Sequence, residues 1–366
     1  MKVLYMLDTL NRGGTETLVL DICKFKAKPF DLTVCSAKGG ALENDIIASG
    51  VNYLQYGRKF SFDINSILKV RNILKKGKFD LVHTHLWIDA LFVTIAKVGL
   101  KIKLAHSFHA FDTYRNRKYL ATIRFIMKRT DINFFVSGFV KDHYLKNYKS
   151  HSNNYVLYNG VNESKFLVEQ KDIRDELGLS ITTKVFGMVG NFINTGRDQI
   201  TICRALPQVI EKYPDFHFLF IGRKSEEKPW IFDECVNYCK EYGIQGNVHF
   251  LGARTDVPSL IMSLDAFVYA TNHDTFGIAI VEAMMVGLPV LANDYSVIKE
   301  VTKDGKYCTL YRTKDVQDLA KKLEYLILGL ESYKNVAKRN ISEVRKKYSI
   351  VAHIKELEKQ YKRIVC

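Results

Sequence analysis

Short apolar runs rich in Val, Ile and Phe alternate with segments of helical period along the whole chain, and this alternation restricts the fold more than any other feature. Strands that alternate with helices build a parallel sheet with helices on both faces. In the first half the predicted strands are residues 3–7, 32–35, 51–54, 81–83, 104–108, 133–136 and 155–158. Leu18, Val19, Ile22 and Cys23 fall on one face of the first intervening helix, and Ile64, Ile67, Leu68 and Leu74 on one face of the third. The pattern restarts after Phe166. Residues 170–179 form a charged, Gly-ended linker and lead-in helix, and strands are then predicted at 185–189, 216–221, 248–251, 266–269, 288–292 and 308–311. A charged helical tail covers residues 332–365. A chain of 366 residues is too long for one ordinary core, so two domains of about 150–200 residues are expected.

Composition narrows the class. Hydrophobic residues make up 47% and charged residues 25%, which is globular. The longest apolar run, residues 86–100, is interrupted by Asp89 and Lys97 and does not reach membrane-spanning length. The N-terminal apolar stretch is too short for a secretion signal and reads as a first strand. Seven cysteines lie scattered without metal-like pairing, although Cys235 and Cys239 can share a helix face. Unpaired thiols in odd number suit a reducing cytoplasm, so a cytoplasmic location is expected. The net charge of +15 is uneven: residues 1–165 hold 26 Lys and Arg against 13 Asp and Glu, and residues 166–366 hold 28 against 26. A basic first half attracts an anionic partner.

The most informative local stretch is His273-Asp274-Thr275-Phe276-Gly277, continuing through Glu282 to Gly287-Leu288-Pro289-Val290. Asp274 reads as a helix start, and Glu282 lies eight residues on, inside an apolar run. A buried glutamate calls for a partner. Eight helical residues span roughly 12 Å, about the length of a sugar diphosphate. Free N–H groups of Phe276 and Gly277 at the helix N-terminus would make an anion site. One carboxylate can then hold sugar hydroxyls, the helix start a diphosphate, and the other carboxylate a ribose. The bland reading is an Asp cap on a core helix, with Glu282 in a buried ion pair.

Other candidates follow strands. Gly13 and Gly14 allow a tight turn into the first helix, although a plain strand-to-helix turn needs the same residues. His109 falls at a strand's carboxyl end in His106-Ser107-Phe108-His109-Ala110-Phe111-Asp112, where ligands of such folds bind. His83 and His85 stand similarly on another strand and read first as ordinary core or surface residues. Arg197 follows the first strand of the second half and can pair with phosphate in bidentate fashion. Gly222 ends a strand, and Arg254 follows another. Residues 114–129 interleave Arg115, Arg117, Lys118, Arg124, Lys128 and Arg129 with apolar side chains. That pattern fits a membrane-surface helix or a half-buried helix with a solvated basic face.

In order and spacing these residues resemble the retaining glycosyltransferases of family 4, nearly end to end. Asp274 and Glu282 match the Glu-x7-Glu signature, with Asp274 in place of the first glutamate, and Gly-Leu-Pro-Val follows as in the family. Gly13-Gly14-Thr15-Glu16 resembles the family's Gly-Gly-x-Glu loop, and Asn159-Gly160-Val161 its inter-domain segment. The family's glycine-arginine pair becomes Gly190-Asn191, and its lysine six residues later becomes Arg197, so one cation is missing.

The resemblance implies an α/β chain of GT-B fold: two facing Rossmann-like domains with parallel sheets and a C-terminal crossover helix. Residues 1–165 would be the acceptor-side domain and residues 166–345 the nucleotide-sugar domain, with residues 346–366 packing back on the first. It further implies a retaining, metal-independent transferase that moves a hexose-type sugar from a nucleotide diphosphate sugar to a glycan or lipid-linked acceptor, in bacterial surface polysaccharide synthesis. Glu282 would bind ribose and Asp274 orient the sugar. Arg197 and the Phe276 and Gly277 amides would take the phosphates. The backbone of Arg254 would meet the base, Gly222 would lie beside the nucleotide, Gly13 and Gly14 would line the phosphate and acceptor side, and His109 would contact the sugar. No cofactor is expected besides the donor, and no metal, since Asp-x-Asp does not occur. Peripheral contact with the anionic inner face of the membrane is a further expectation. A nucleotide-sugar epimerase or sugar phosphate synthase would share this frame, and a donor-only assay separates them. Nucleic-acid binding, which charge alone suggests, finds no recognised module in the sequence, so nucleic acid is not an expected partner.

Overall fold

The computed structural model describes all residues except 26, 59, 61–62, 112–115, 149–152, 170, 194–195 and 366. The chain divides into two compact units, Met1–Asn162 with Tyr348–Cys366, and Glu163–Lys347.

The first unit runs β1 (Lys2–Leu7), α1 (Gly14–Lys24), β2 (Asp31–Ser36), α2 (Glu43–Ala48), β3 (Asn52–Gln55), α3 (Ile64–Gly77), β4 (Leu81–Thr84), α4 (Trp87–Ala96), β5 (Lys103–Phe108), α5 (Arg117–Arg129), β6 (Ile132–Phe135), α6 (Gly138–Asn147) and β7 (Asn153–Val156). Its seven strands are all parallel, in the order β3-β2-β1-β4-β5-β6-β7. The second unit opens on a single 3-10 turn, Glu163–Phe166. It continues with α7 (Ile173–Leu177), β8 (Lys184–Val189), α8 (Gln199–Lys212), β9 (Phe216–Ile221), α9 (Trp230–Glu241), β10 (Val248–Gly252), α10 (Val257–Ser263), β11 (Ala266–Tyr269), α11 (Ile278–Met285), β12 (Val290–Asn293), α12 (Ser296–Val301), β13 (Thr309–Tyr311), α13 (Val316–Leu328) and α14 (Leu330–Tyr348). Its six strands are ordered β10-β9-β8-β11-β12-β13, again parallel. The last helix, α15 (Ile350–Val365), belongs to the first unit.

Alternation along β1 explains the layering. Val3, Tyr5 and Leu7 pack with Leu18, Val19 and Ile22 of α1 and with Ile350, Ile354, Leu357 and Tyr361 of α15. Leu4 and Met6 face the other way, against Val70 and Leu74 of α3 and Phe92 and Val93 of α4. A period of two thus loads both sides of the sheet, as a doubly wound unit requires.

Several elements depart from the sequence reading. In α3, Ile64 and Leu68 are exposed, and the buried ridge is Ser66, Val70 and Leu74. Positions 64 and 68 lie on one ridge and 66, 70 and 74 on the opposite one, so helical period alone did not say which faces the sheet. The tail is two helices. Ser349 breaks it because the backbone pairs there with Val161: the Val161 amide donates to Tyr348 O, and the Ile350 amide donates to Val161 O, both at 2.8 Å. The Ser349 hydroxyl then accepts the Ala352 amide at 3.2 Å, as a cap does. The strands predicted at 51–54 and 155–158 are shifted to Asn52–Gln55 and Asn153–Val156.

The first unit buries an unusual number of imidazoles. His83 sits between the Tyr361 hydroxyl and Ser107 Oγ, and Tyr361 also meets Tyr5 at 2.9 Å. His106 Nδ1 lies 2.9 Å from Thr84 Oγ1, and His353 Nδ1 lies 2.7 Å from Tyr158 O. Burial lowers the pKa of His83 well below the usual range, that of His106 to about 3 and that of His353 to about 4. These rings are therefore neutral in the fold. Their contribution is complete above the unfolded value, about 6.5, and is lost as pH falls toward the folded values, because the unfolded chain then binds protons that the fold refuses. Between pH 7 and about pH 5, His106 alone should remove about 2 kcal/mol of stability. Urea midpoints should fall accordingly, and the drop should shrink in a folded His106→Gln variant. Equal midpoints at both pH values would show that these rings are not held neutral.

Candidate active site

Both sheets reverse strand direction of growth at one place, β1 beside β4 in the first unit and β8 beside β11 in the second. Loops leaving the carboxyl ends there part to opposite sides and open a crevice. All the sequence-predicted residues except Arg254 lie on or next to elements that leave these points or an adjacent strand end.

In the second unit the two loops are stitched together. The Asp198 amide donates to Ala270 O at 3.0 Å, and Arg197 bridges antiparallel to Thr271. Thr271 is held from both sides by the buried Asn293 side chain, whose Oδ1 accepts its amide at 2.9 Å and whose Nδ2 donates to its carbonyl at 2.7 Å. On this frame Arg197 Nη1 lies 3.1 Å from Asp274 Oδ2, and its guanidinium stands over the Tyr269 ring, 5.2 Å from the centroid. The Tyr269 hydroxyl donates to the same Oδ2 at 2.7 Å. Burial, then the Asp274 charge, raises the Tyr269 pKa far above 10, so it stays a donor.

Asp274 is not the cap of α11. Its Oδ1 accepts the amides of Thr275 at 2.7 Å and Phe276 at 3.3 Å, closing a local turn four residues before the helix. The Phe276 amide is thus committed to Asp274, which corrects the expectation of a free N–H there. Gly277 caps α11 instead, with φ at +85°, a left-handed conformation that side chains other than hydrogen disfavour. The amides of Ile278 and Ala279 lie ahead of the first helical hydrogen bond, which the Ile280 amide makes to Gly277 O at 3.1 Å. The 12 Å helical span between the two carboxylates also does not apply, because only Ile278–Met285 is helical.

Glu282 lies within α11, largely covered, and forms an ion pair with Lys165 of the 3-10 turn. Lys165 escaped the sequence reading. The signal was the demand of Glu282 for a partner, but 117 residues separate the pair and no local pattern joins them. Gly222 is required by crowding: a Cβ there would lie 2.2 Å from Gly190 O, where the ends of β8 and β9 converge. Asn191, in the place of the family arginine, braces this corner by accepting the Arg223 amide at 2.8 Å. The Arg254 guanidinium is engaged by Glu176 at 2.7 and 2.9 Å and by Asp256 at 2.8 Å, leaving only its backbone for a ligand.

In the first unit Gly13 is the extended residue before α1, and Gly14 is the first helical residue. Burial raises the pKa of Glu16 in the first turn of α1. His109 follows β5 directly, and its Nε2 lies 2.9 Å from Nδ1 of His85, beyond the end of β4. Burial, then the neighbouring His353, lowers the His109 pKa to about 3. His83 lies inside β4 and is a core residue. Asp112 of the same motif lies outside the described residues, as do Asn194 and Thr195 before Arg197.

A family model described as "Glycosyl transferases group 1" matches residues 169–343, and one described as "Glycosyltransferase Family 4" matches residues 12–165. Among characterised proteins, the chain is 22% identical over 307 residues to N-acetyl-alpha-D-glucosaminyl L-malate synthase of Bacillus anthracis, covering 82% of this chain and 79% of that one. It is 26% identical over 246 residues to UDP-Gal:alpha-D-GlcNAc-diphosphoundecaprenol alpha-1,3-galactosyltransferase of Escherichia coli, covering 63% and 62%. Among solved structures, Anabaena Alr3699/HepE in complex with UDP shares the fold at a TM-score of 0.87, with 19% identity over 99% of this chain and 100% of that one. With both halves matched in turn and two parallel Rossmann-like sheets of GT-B type beneath them, the chain belongs to the group 1 glycosyl transferases and is a glycosyltransferase.

Proposed function

We propose that the chain is a retaining, metal-independent glycosyltransferase that moves a hexose-type sugar from a nucleotide diphosphate sugar to a glycan or lipid-linked acceptor. The observation that carries this reading is the second unit's crevice, where Arg197, Asp274 and the start of α11 converge at the switch point and Glu282 lies one turn further along the same helix. Arg197 and the α11 amides neutralise the departing diphosphate, the role a metal plays elsewhere. Asp274 orients the sugar ring and Glu282 binds ribose. Lys165 holds the Glu282 carboxylate in position through their ion pair. His109, neutral at ordinary pH, offers the sugar a hydrogen bond without a charge. The backbone of Arg254 meets the base, and Gly13 and Gly14 leave room at the start of α1. Retention on one face of the sugar needs no enzymic nucleophile, since the leaving phosphate takes the acceptor proton. The Escherichia coli relative's name pairs UDP-Gal with a diphosphoundecaprenol-linked acceptor, and HepE holds UDP. Both support a nucleotide-sugar donor, and the former an acceptor on a lipid carrier.

A membrane-bound acceptor gives the basic first unit a purpose. On α5, Arg117, Lys118, Arg124, Lys128 and Arg129 are exposed beside Phe125, while Ile123, Ile126 and Met127 face the core. Tyr114 and Arg115, the first basic stretch of the sequence pattern, lie outside the described residues. Among the described residues no helix is long and apolar enough to cross a membrane, so this contact would be peripheral.

Three measurements test the proposal. Glu282→Gln removes a charge-assisted bond to ribose worth roughly 1.5–3 kcal/mol, so calorimetric titration with UDP, GDP or ADP should show about tenfold weaker binding. Unchanged affinity in the folded variant removes Glu282 from the site. Asp274→Asn keeps an oxygen for the Thr275 and Phe276 amides, so melting and nucleotide affinity should stay near wild type while sugar transfer collapses; full transfer leaves Asp274 a structural turn residue only. Anionic vesicles should retain the chain at low salt and release it as salt screens the surface charge, and Arg117, Lys118 and Arg124 changed together to Gln should abolish retention without touching nucleotide binding. A wild-type chain that ignores such vesicles at low salt refutes the membrane contact.

A further inference from the structure

Asp8 follows β1, Tyr56 and Arg58 follow β3, and Asp89 lies in the first turn of α4, which follows β4. These four side chains meet at the carboxyl edge of the first sheet. The Arg58 guanidinium stands between two carboxylates. Its Nη2 pairs with Asp8 Oδ1, and its Nη1 lies 4.0 Å from Asp89 Oδ1. The Tyr56 hydroxyl donates to the same Asp89 oxygen at 2.8 Å. Backbone bonds fix the frame: the Lys38 amide donates to Asp8 O at 2.9 Å, and the Arg58 amide to Ala37 O at 3.3 Å. Side-chain exposure falls from 26% at Asp8 through 9% at Arg58 to 0% at Asp89, so the cluster runs from the crevice into the core.

The two carboxylates are served unequally. Asp8 holds the guanidinium. Asp89 has one hydroxyl, while its Oδ2 and the facing Arg58 Nη1 are both buried without a hydrogen-bond partner. A gap of 4.0 Å is too long for an N–H···O bond, which needs about 2.9 Å. A buried, charged carboxylate with one bare oxygen is strongly disfavoured, whereas a neutral carboxylic acid is tolerated. The geometry is therefore that of a protonated Asp89, with Arg58 left to Asp8. Burial pushes the Asp89 pKa up to about 7, although the Tyr56 hydrogen bond opposes it. The proton is thus lost close to neutrality, and the charged acid then faces an unused guanidinium nitrogen. Cys35 of β2 is also near, but burial pushes its thiol up to about 12, and burial raises the Tyr56 phenol far above 10. Neither gives up a proton in the same range.

We propose that Asp89 and Arg58 form a pH-sensitive positioning device: below neutrality Arg58 is held by Asp8 alone, and above it the charged Asp89 draws the guanidinium inward and loosens its hold on Asp8. Asp8 opens the loop that carries Gly13 and Gly14, and after burial its charge is a cause of the raised pKa of Glu16. Withdrawal of Arg58 makes this edge of the crevice more negative as pH rises. The device lies within the first unit and depends on no assignment of donor, sugar or acceptor.

Carbon-13 NMR of the full chain labelled at aspartate Cγ tests this, with Asp8→Asn and Asp89→Asn identifying the two signals. Asp89 should titrate with a midpoint near pH 7, and the Asp8 signal should step at the same midpoint. That step should be gone in Asp89→Asn. Tyr56→Phe removes a bond to the charged form of Asp89 and leaves the charges in place, so both midpoints should rise together. Arg58→Gln should abolish the Asp8 step while Asp89 titrates higher still, because the guanidinium favours its charged form. Should that variant fail to fold, Arg58→Lys serves: a point charge cannot fork between two carboxylates, so the step should shrink by about half or more. An Asp89 signal that titrates in the ordinary range, about 4, overturns the proposal, as does an Asp8 signal that is flat through neutrality. A step that survives unchanged in the folded Arg58 variants is a direct field effect and overturns it too, as does Tyr56→Phe moving one midpoint without the other.

Discussion

Asp274 places one negative charge, 8% exposed, among a guanidinium, a phenol and two backbone amides. A charge so covered is tolerable only because every direction around it holds a donor. The consequences spread outward. The turn it closes brings Gly277 into a left-handed conformation, and that conformation sets where α11 begins. The pairing with Arg197 ties the loop after β8 to the loop after β11, and Asn293 secures the second loop from β12. The aspartate's short side chain matters here: it reaches its own backbone two residues on, which a glutamate at the same position does less readily.

The two units share one strand order through their first six positions, yet they use histidine and carboxylate in opposite ways. Within β4 and β5 of the first unit the buried polar groups include imidazoles held neutral by burial and bonded to hydroxyls. The second unit instead sets basic and acidic side chains in matched pairs, Arg197 with Asp274 in the loops after β8 and β11, and Lys165 of the 3-10 turn with Glu282 of α11. A neutral, hydrogen-bonding wall suits recognition of sugar hydroxyls, whereas fixed charges suit a diphosphate.

Much of this was legible in the sequence, for identifiable reasons. Parallel strands buried on both faces are short continuous apolar runs, so both sheets and nearly all their strands could be read directly. The facing of α3 could not, because Ile64 and Leu68 mimic an apolar stripe while the true contact ridge includes Ser66, a residue hydrophobicity does not mark. The break at Ser349 was hidden because it is caused by pairing with Val161, far away in sequence. At the site, residue identities came from motif spacing, but their partners did not. Lys165, Tyr269 and Asn293 act through contacts between distant segments, and their local sequence carries no sign of that. The engagement of the Phe276 amide was hidden too: the turn at Asp274 is a hydrogen-bond choice, and helical propensity cannot see it.

The final helix has a consequence for how the chain is made. Because α15 supplies Ile350, Ile354, Leu357 and Tyr361 to the core of the first unit, that unit is assembled from two separate stretches of sequence. During synthesis from the N-terminus, the face of β1 that bears Val3, Tyr5 and Leu7 must wait without its cover until residues 350–364 have been made. The second unit, wholly encoded between Glu163 and Lys347, has all its residues before the first has its last. Order of emergence and order of completion are reversed, so the part of the chain that is born first is the one that depends longest on whatever shields exposed apolar surface in the cell.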